Sequence, residues 1–277
     1  MRKRLLTLVG VVGVAGLVAL GAVLWVKPAD GEEFTTPRAS EDDLRAVSES
    51  SVYFAHKSVG YNIVDALPHV FEEAGVAAPG IVESKETPDG PTFVHAANGE
   101  NGDPLGKIRL FDETMRSGMA GTVDAAVLKL CYVDFREGRV DVEEVFAAYR
   151  DTLAALRRDY PGTAFIAATA PLTTERGPAG KVRAALGRGD TLGPEHNVVR
   201  EQFNALVRAE YAGSGELFDI AAVQSTTAEG ERVAYERDGK RYYAMDEAYA
   251  SDPGHLNAEG GAVAASAFLA VLADAVG

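Results

Sequence analysis

Near the C-terminus the chain reads Asp252-Pro-Gly-His255-Leu-Asn-Ala-Glu-Gly-Gly. A carboxylate three residues before a histidine can accept from one imidazole nitrogen and so fix the tautomer. The other nitrogen is then free to take a proton from a nucleophile, and the carboxylate stabilises the imidazolium that results. Such a pair works only if it is held still. Asn257 has the character of a helix N-cap, and residues 258–276, rich in Ala, Leu and Val, read as a packed terminal helix. A partner nucleophile is offered far upstream. Ser58 follows the apolar run 51–55 and precedes a helix-like stretch, 61–74. A hydroxyl in such a turn is exposed and lies near helix-terminal N–H groups, which can stabilise an oxyanion.

The elements that must position these groups follow from hydrophobic pattern. Strands are expected at 51–55, 81–82, 92–94, 123–130, 164–168 and 216–220. Helices are expected at 61–74, 105–117, 140–160 and 194–211, and the turn Asp238-Gly239 predicts a hairpin over 232–245. Strands alternating with helices of this length imply an α/β domain, a three-layer α/β/α sandwich on a mainly parallel sheet. Sites on such sheets lie beyond the carboxyl ends of the strands. The segments at Ser58, Asn98-Gly99, Cys131-Tyr-Val-Asp134, Thr169-Ala-Pro171 and Asp252–His255 can all share that edge. Residues 173–193, rich in Gly and Arg, read as an inserted loop.

Composition narrows the function. Residues 28–277 carry 23 Lys+Arg against 41 Asp+Glu, a net charge of −18, with no basic stripe, which argues against nucleic-acid binding. Cys131 is the single cysteine, so neither an intramolecular disulfide nor a thiolate metal cluster is available. His56 with Asp252 and His255 lacks metal-ligand spacing, and no metal or other cofactor is expected. His69, His95 and His196 are expected to be structural or surface residues.

Met-Arg-Lys-Arg precedes residues 5–26, which contain no charge. At about 1.5 Å per residue this run spans a hydrocarbon core of about 30 Å. The basic start places the remainder outside the cytoplasm. A cleaved signal peptide would leave the domain secreted. The expected organisation is an N-terminal signal-anchor or transmembrane segment over 1–27, a polar linker over 28–48 and one domain over 49–277.

Over roughly residues 50–275 the chain resembles the SGNH hydrolase superfamily, the GDSL-type esterases. Ala55-His-Lys-Ser58-Val-Gly60 stands where the family's first block stands, which implies Ser58 as nucleophile. Asn98-Gly99-Glu-Asn101-Gly-Asp resembles the second block, implying the Gly99 N–H as an oxyanion donor beside that of Ser58. Cys131-Tyr-Val-Asp134 lies where Gly-x-Asn-Asp would be, and Asp252-Pro-Gly-His255-Leu-Asn257 matches the last block. Two departures stand out. His56-Lys57 replaces the usual Gly-Asp, and Val133 replaces the third-block asparagine, an oxyanion donor. Asn98, Asn101, Lys129 or Tyr132 could supply the missing side chain. His56, Lys57, Lys129, Tyr132 and Asp134 are candidate pocket residues. The resemblance implies a serine esterase acting on O-acyl esters, acetyl esters first, of a small molecule or glycan. Acyl transfer on the same triad is a close variant. A membrane-tethered glycan-binding or scaffold protein on a degenerate hydrolase fold is the alternative from another class.

Overall fold

The computed structural model describes residues 27–86, 89–177, 180–182, 186 and 192–277. The expected membrane segment lies outside the described residues, except Lys27, and so does much of the inserted loop 173–193.

Six parallel strands form the central sheet: β2 (Val52–His56), β3 (Gly80–Glu83), β4 (Thr92–Ala97), β5 (Ala125–Leu128), β6 (Ala164–Ala168) and β7 (Leu217–Phe218), in the order β3-β4-β2-β5-β6-β7. Strand side chains alternate faces. Val52, Phe54, Ala125, Val127, Ile166 and Ala168 join one apolar cluster, while Tyr53, Ala55, Ala126, Leu128, Phe165 and Ala167 join another. Both faces are thus covered, which is why these strands read as continuous apolar runs.

On the first face lie α1 (Glu41–Ser48), α2 (Val59–Glu73), α6 (Ile220–Ser225) and α7 (Ala258–Val276). On the second lie α3 (Pro104–Arg116), α4 (Val142–Asp159) and α5 (Pro194–Tyr211). The architecture is the expected three-layer sandwich. β2 lies between β4 and β5, where the chain moves from one side of the sheet to the other. In open sheets of this kind ligands bind beyond the strands' carboxyl ends at such a switch point.

A second, three-stranded sheet is formed by β1 (Lys27–Ala29), β8 (Ala234–Arg237) and β9 (Lys240–Tyr243). Asp238 and Gly239 turn the hairpin with φ of 51° and 73°, as a two-residue primed turn requires.

The stretch 28–48, expected as a linker, is folded against the domain. β1 pairs with β8, Phe34 N–H donates to the Gly230 carbonyl at 2.9 Å, and Ala39 N–H donates to Ser266 Oγ at 3.1 Å. Ser40 and Asp43 form a capping box that starts α1, whose Leu44 and Val47 are buried against α7. Polar composition hid this packing, because two apolar residues at helical spacing suffice to dock one short helix.

α7 is, by length and composition, the one helix among the described residues apolar enough to cross a membrane. Half of that span is buried, and Ala264, Phe268, Leu269 and Leu272 belong to the first-face core, so it packs here as a core helix.

Candidate active site

Three strand ends meet at this edge of the sheet. β2 leads through Lys57 to Ser58, β4 leads to Asn98-Gly99, and β5 leads through Lys129 to Tyr132. Ser58 has φ 53° and ψ −112°, a conformation L-residues rarely hold. Its side chain does not cap α2, so Oγ is free to face outward. The turn depends on Gly60: a Cβ there would stand 2.4 Å from the His56 ring. Strain of this kind, held by surrounding packing, is a mark of functional turns.

The last block sits on a small antiparallel pair, β10 (Ala250–Asp252) and β11 (His255–Leu256), in which Asp252 is opposite His255. Asn257 caps α7 through Gly260 N–H at 2.9 Å, and its Nδ2 donates to the Ala248 carbonyl at 2.7 Å. Leu256 N–H donates to Asn62 Oδ1 on α2 at 3.2 Å. The histidine loop is therefore tied to the same helix that follows Ser58.

Ser58 Oγ lies 2.5 Å from His255 Nε2. His255 Nδ1 lies 2.8 Å from Asp252 Oδ2 and 3.0 Å from Oδ1. Burial pushes the Asp252 carboxyl up, but the Gly254 N–H at 2.8 Å and the His255 ring outweigh this and hold it below the ordinary carboxylate value. The structure thus brings together Ser58, His255 and Asp252 in a continuous hydrogen-bonded relay.

The N–H groups of Ser58 and Gly99 donate to no protein acceptor among the described residues. Gly99 has φ 63°, and a Cβ there would stand 2.7 Å from Lys107 Cγ. Only glycine lets this loop turn back onto α3.

The other expected residues part company. Asn98 is buried and its Nδ2 donates to the Lys107 carbonyl at 2.9 Å, so its amide braces the loop. Asn101 is exposed, and its Oδ1 accepts from Lys107 Nζ at 3.2 Å. Lys57 reaches Glu100 at 3.8 Å. Lys129 is buried behind the Ser58 turn. His56 lies within the core, stacked on Phe54, with Nε2 3.0 Å from His95 Nδ1. Burial, then the charges of Lys129 and His95, push His56 down to about 2, so it is neutral and not a pocket base.

Asp134 is neither solvated nor catalytic in placement. It accepts from Lys107 Nζ at 2.7 Å and 2.8 Å, from Gly102 N–H at 2.8 Å and from Cys131 N–H at 2.7 Å. Both side chains of this ion pair are essentially inaccessible to solvent. It pins the Gly99 loop, α3 and the β5 loop together.

Of the four side chains considered for the missing donor, Tyr132 is the one packed against the histidine loop. Its ring lies edge-on to His255 with centroids 6.0 Å apart, and its hydroxyl lies against Gly254, where an added Cβ would be 2.6 Å away. Burial, with the nearby Asp252 charge, raises its phenol above the ordinary value and keeps it protonated. Arg200 supports it, donating Nε–H to the Tyr132 carbonyl at 2.9 Å with its guanidinium 5.3 Å from the ring centre.

Lys107 and Arg200 escaped sequence reasoning, though signals existed. Lys107 precedes Phe111 and Met115 at four-residue spacing, on the apolar stripe of α3. Asn197, Arg200 and Asn204 form a polar stripe on the buried side of α5. A charged residue on a buried stripe implies a buried partner.

A groove of about 610 Å³ runs from Asn101 and Gly102 past Val133 to Arg136, Arg139 and Asp141. No group of three His, Cys, Asp or Glu side chains among the described residues is placed to hold a metal ion.

No protein-family model and no curated protein matches the chain. Solved structures with a similar chain trace include a GDSL-like lipase from Bacteroides thetaiotaomicron VPI-5482, 13% identical, covering 81% of this chain and 88% of that one at a TM-score of 0.48. A protein provisionally termed an acylhydrolase, from Bacteroides fragilis NCTC 9343, is 15% identical and covers 80% and 86% at 0.48. A peptidoglycan O-acetylesterase is 12% identical, covering 66% of this chain and 46% of its own at 0.40.

Proposed function

We propose that this protein is a divergent SGNH hydrolase, a serine esterase that removes O-acyl groups through Ser58, His255 and Asp252. The Ser58–His255–Asp252 relay carries this reading. His255 Nε2 takes the Ser58 proton as Oγ attacks the ester carbonyl, and Asp252 stabilises the imidazolium that forms. The tetrahedral oxyanion is held by the N–H groups of Ser58 and Gly99, with the Tyr132 hydroxyl in place of the third-block asparagine. His255 then protonates the leaving alcohol, activates water and releases the acid from the acyl-enzyme. No cofactor enters this sequence of steps.

The substrate is an acetylated carbohydrate. Its support is the groove beside the Gly99 loop, whose Asn101, Asp103, Arg136, Arg139 and Asp141 offer hydrogen bonds to a hydroxyl-rich alcohol rather than an apolar bed for a lipid chain. Residues 1–27 anchor the chain in the membrane, and the domain works outside the cytoplasm, where such polymers lie.

The test is p-nitrophenyl acetate turnover by the full chain in detergent, beside Ser58→Ala and His255→Ala. We expect turnover in the parent and loss of at least about 10³-fold in both variants. Equal rates in all three proteins overturn the proposal. Release of acetate from an O-acetylated glycan, absent in Ser58→Ala, tests the substrate class.

A further inference from the structure

Lys129 continues β5 by one residue, its N–H donating to the Ala55 carbonyl at 3.0 Å, and its side chain is almost wholly buried. Nζ donates to the carbonyl oxygen of Lys57 at 2.9 Å. The Gly60 N–H reaches the same oxygen at 3.1 Å and the Cys131 thiol at 3.6 Å. Nζ also lies 3.7 Å from Cys131 Sγ, no carboxylate among the described residues forms an ion pair with it, and burial pushes its pKa below the ordinary lysine value. An amine buried without a counter-ion is costly, and a methionine would fill the same space without that cost.

The oxygen it contacts belongs to the peptide that supplies the Ser58 N–H. That peptide is trans and planar, so its C=O and N–H point in opposite directions. Nζ sits at the back of the unit whose front faces the reacting carbonyl. A donor at the back draws amide electron density toward the oxygen and makes the N–H a stronger donor. In a buried site this polarisation is poorly screened. The same contact resists rotation of the peptide, which the strained φ and ψ of Ser58 would otherwise favour.

We propose that Lys129 is a positioning residue of the oxyanion hole: through the Lys57 carbonyl it orients and polarises the peptide whose Ser58 N–H receives the oxyanion. It thereby makes good part of what the family's asparagine would supply. The inference rests on the serine-esterase reading.

The test is Lys129→Met in the full chain, with kcat and KM for p-nitrophenyl acetate, affinity for phenylboronic acid, and thermal unfolding. Phenylboronic acid forms an anionic tetrahedral adduct on the serine and so reports the oxyanion hole. We expect kcat to fall about 10- to 100-fold, KM to stay within about threefold, and boronate affinity to fall by the same factor as kcat. The melting temperature should hold or rise. A folded variant with parental kcat overturns the assignment. So does a lowered kcat with unchanged boronate affinity, which marks a displaced His255. If Lys129→Met does not fold, Lys129→Gln is read by the same criteria. A parent protein that neither turns over ester nor labels at Ser58 with a fluorophosphonate fails the esterase reading itself, and this inference with it.

Discussion

His255 has both ring nitrogens engaged, and the two partners ask different things of it. Asp252 is partly exposed and accepts from the ring and from Gly254 N–H, so in the proposed triad its service is to tautomer and charge rather than to packing. Asp252→Asn should therefore lower kcat about 10⁴-fold while leaving the melting temperature within a few degrees, measured by ester turnover and calorimetry. Tyr132→Phe keeps the ring under Arg200 and removes only the hydroxyl. A loss of about 10²-fold in kcat with KM unchanged is expected if the phenol meets the oxyanion. That Ser58, Asp252 and His255 lie within hydrogen-bonding reach of one another was foreseeable in the chain because each is defined by local surroundings: a strand-to-helix turn and a three-residue spacing. The surroundings of the proposed oxyanion hole were not. Asn98, Asn101, Lys129 and Tyr132 were equivalent as residue types, and only their directions in space separate them.

At the scale of elements, the Lys107–Asp134 pair does what no single loop could. It joins α3 to the loops after β4 and β5 from inside the protein. Breaking one side leaves the other charge buried and alone. Lys107→Met should thus cost about 3–5 kcal/mol in denaturant unfolding, whereas Lys107→Met combined with Asp134→Asn, which removes the second charge and keeps an acceptor for the Gly102 and Cys131 N–H groups, should recover part of it. Strand and helix positions were largely legible, since buried parallel strands advertise themselves as apolar runs and α5 and α7 carry clear end signals. The order of strands was not legible, because each strand is covered on both faces and none carries a mark of its neighbour. The short helix α1 was missed for a related reason: its docking face is two residues in an acidic, polar stretch.

Across the whole molecule, protonation of the buried histidine sets a limit on acid stability. His56 holds a folded value of about 2 against an ordinary 6.5, so the unfolded chain binds a proton that the folded chain refuses. Its contribution is complete above pH 6.5 and declines as pH falls, at up to about 1.4 kcal/mol per unit. His95, also pushed down by burial, adds in the same direction. Denaturant melts at pH 7.5, 6 and 5 should show this fall, with a shallower slope in His56→Leu. An unchanged slope would place the acid sensitivity elsewhere.

The pairing of β1 with β8 begins at Lys27, where the proposed membrane anchor ends. A free chain of twenty residues would let the domain wander about 25 Å from its point of attachment. Here that slack is folded away. A domain held by the proposed anchor would then lack a long free tether and stay close to the membrane surface, and a substrate polymer would have to come within its reach. Processing would then depend on how the substrate reaches a closely tethered enzyme rather than on how far the enzyme can search.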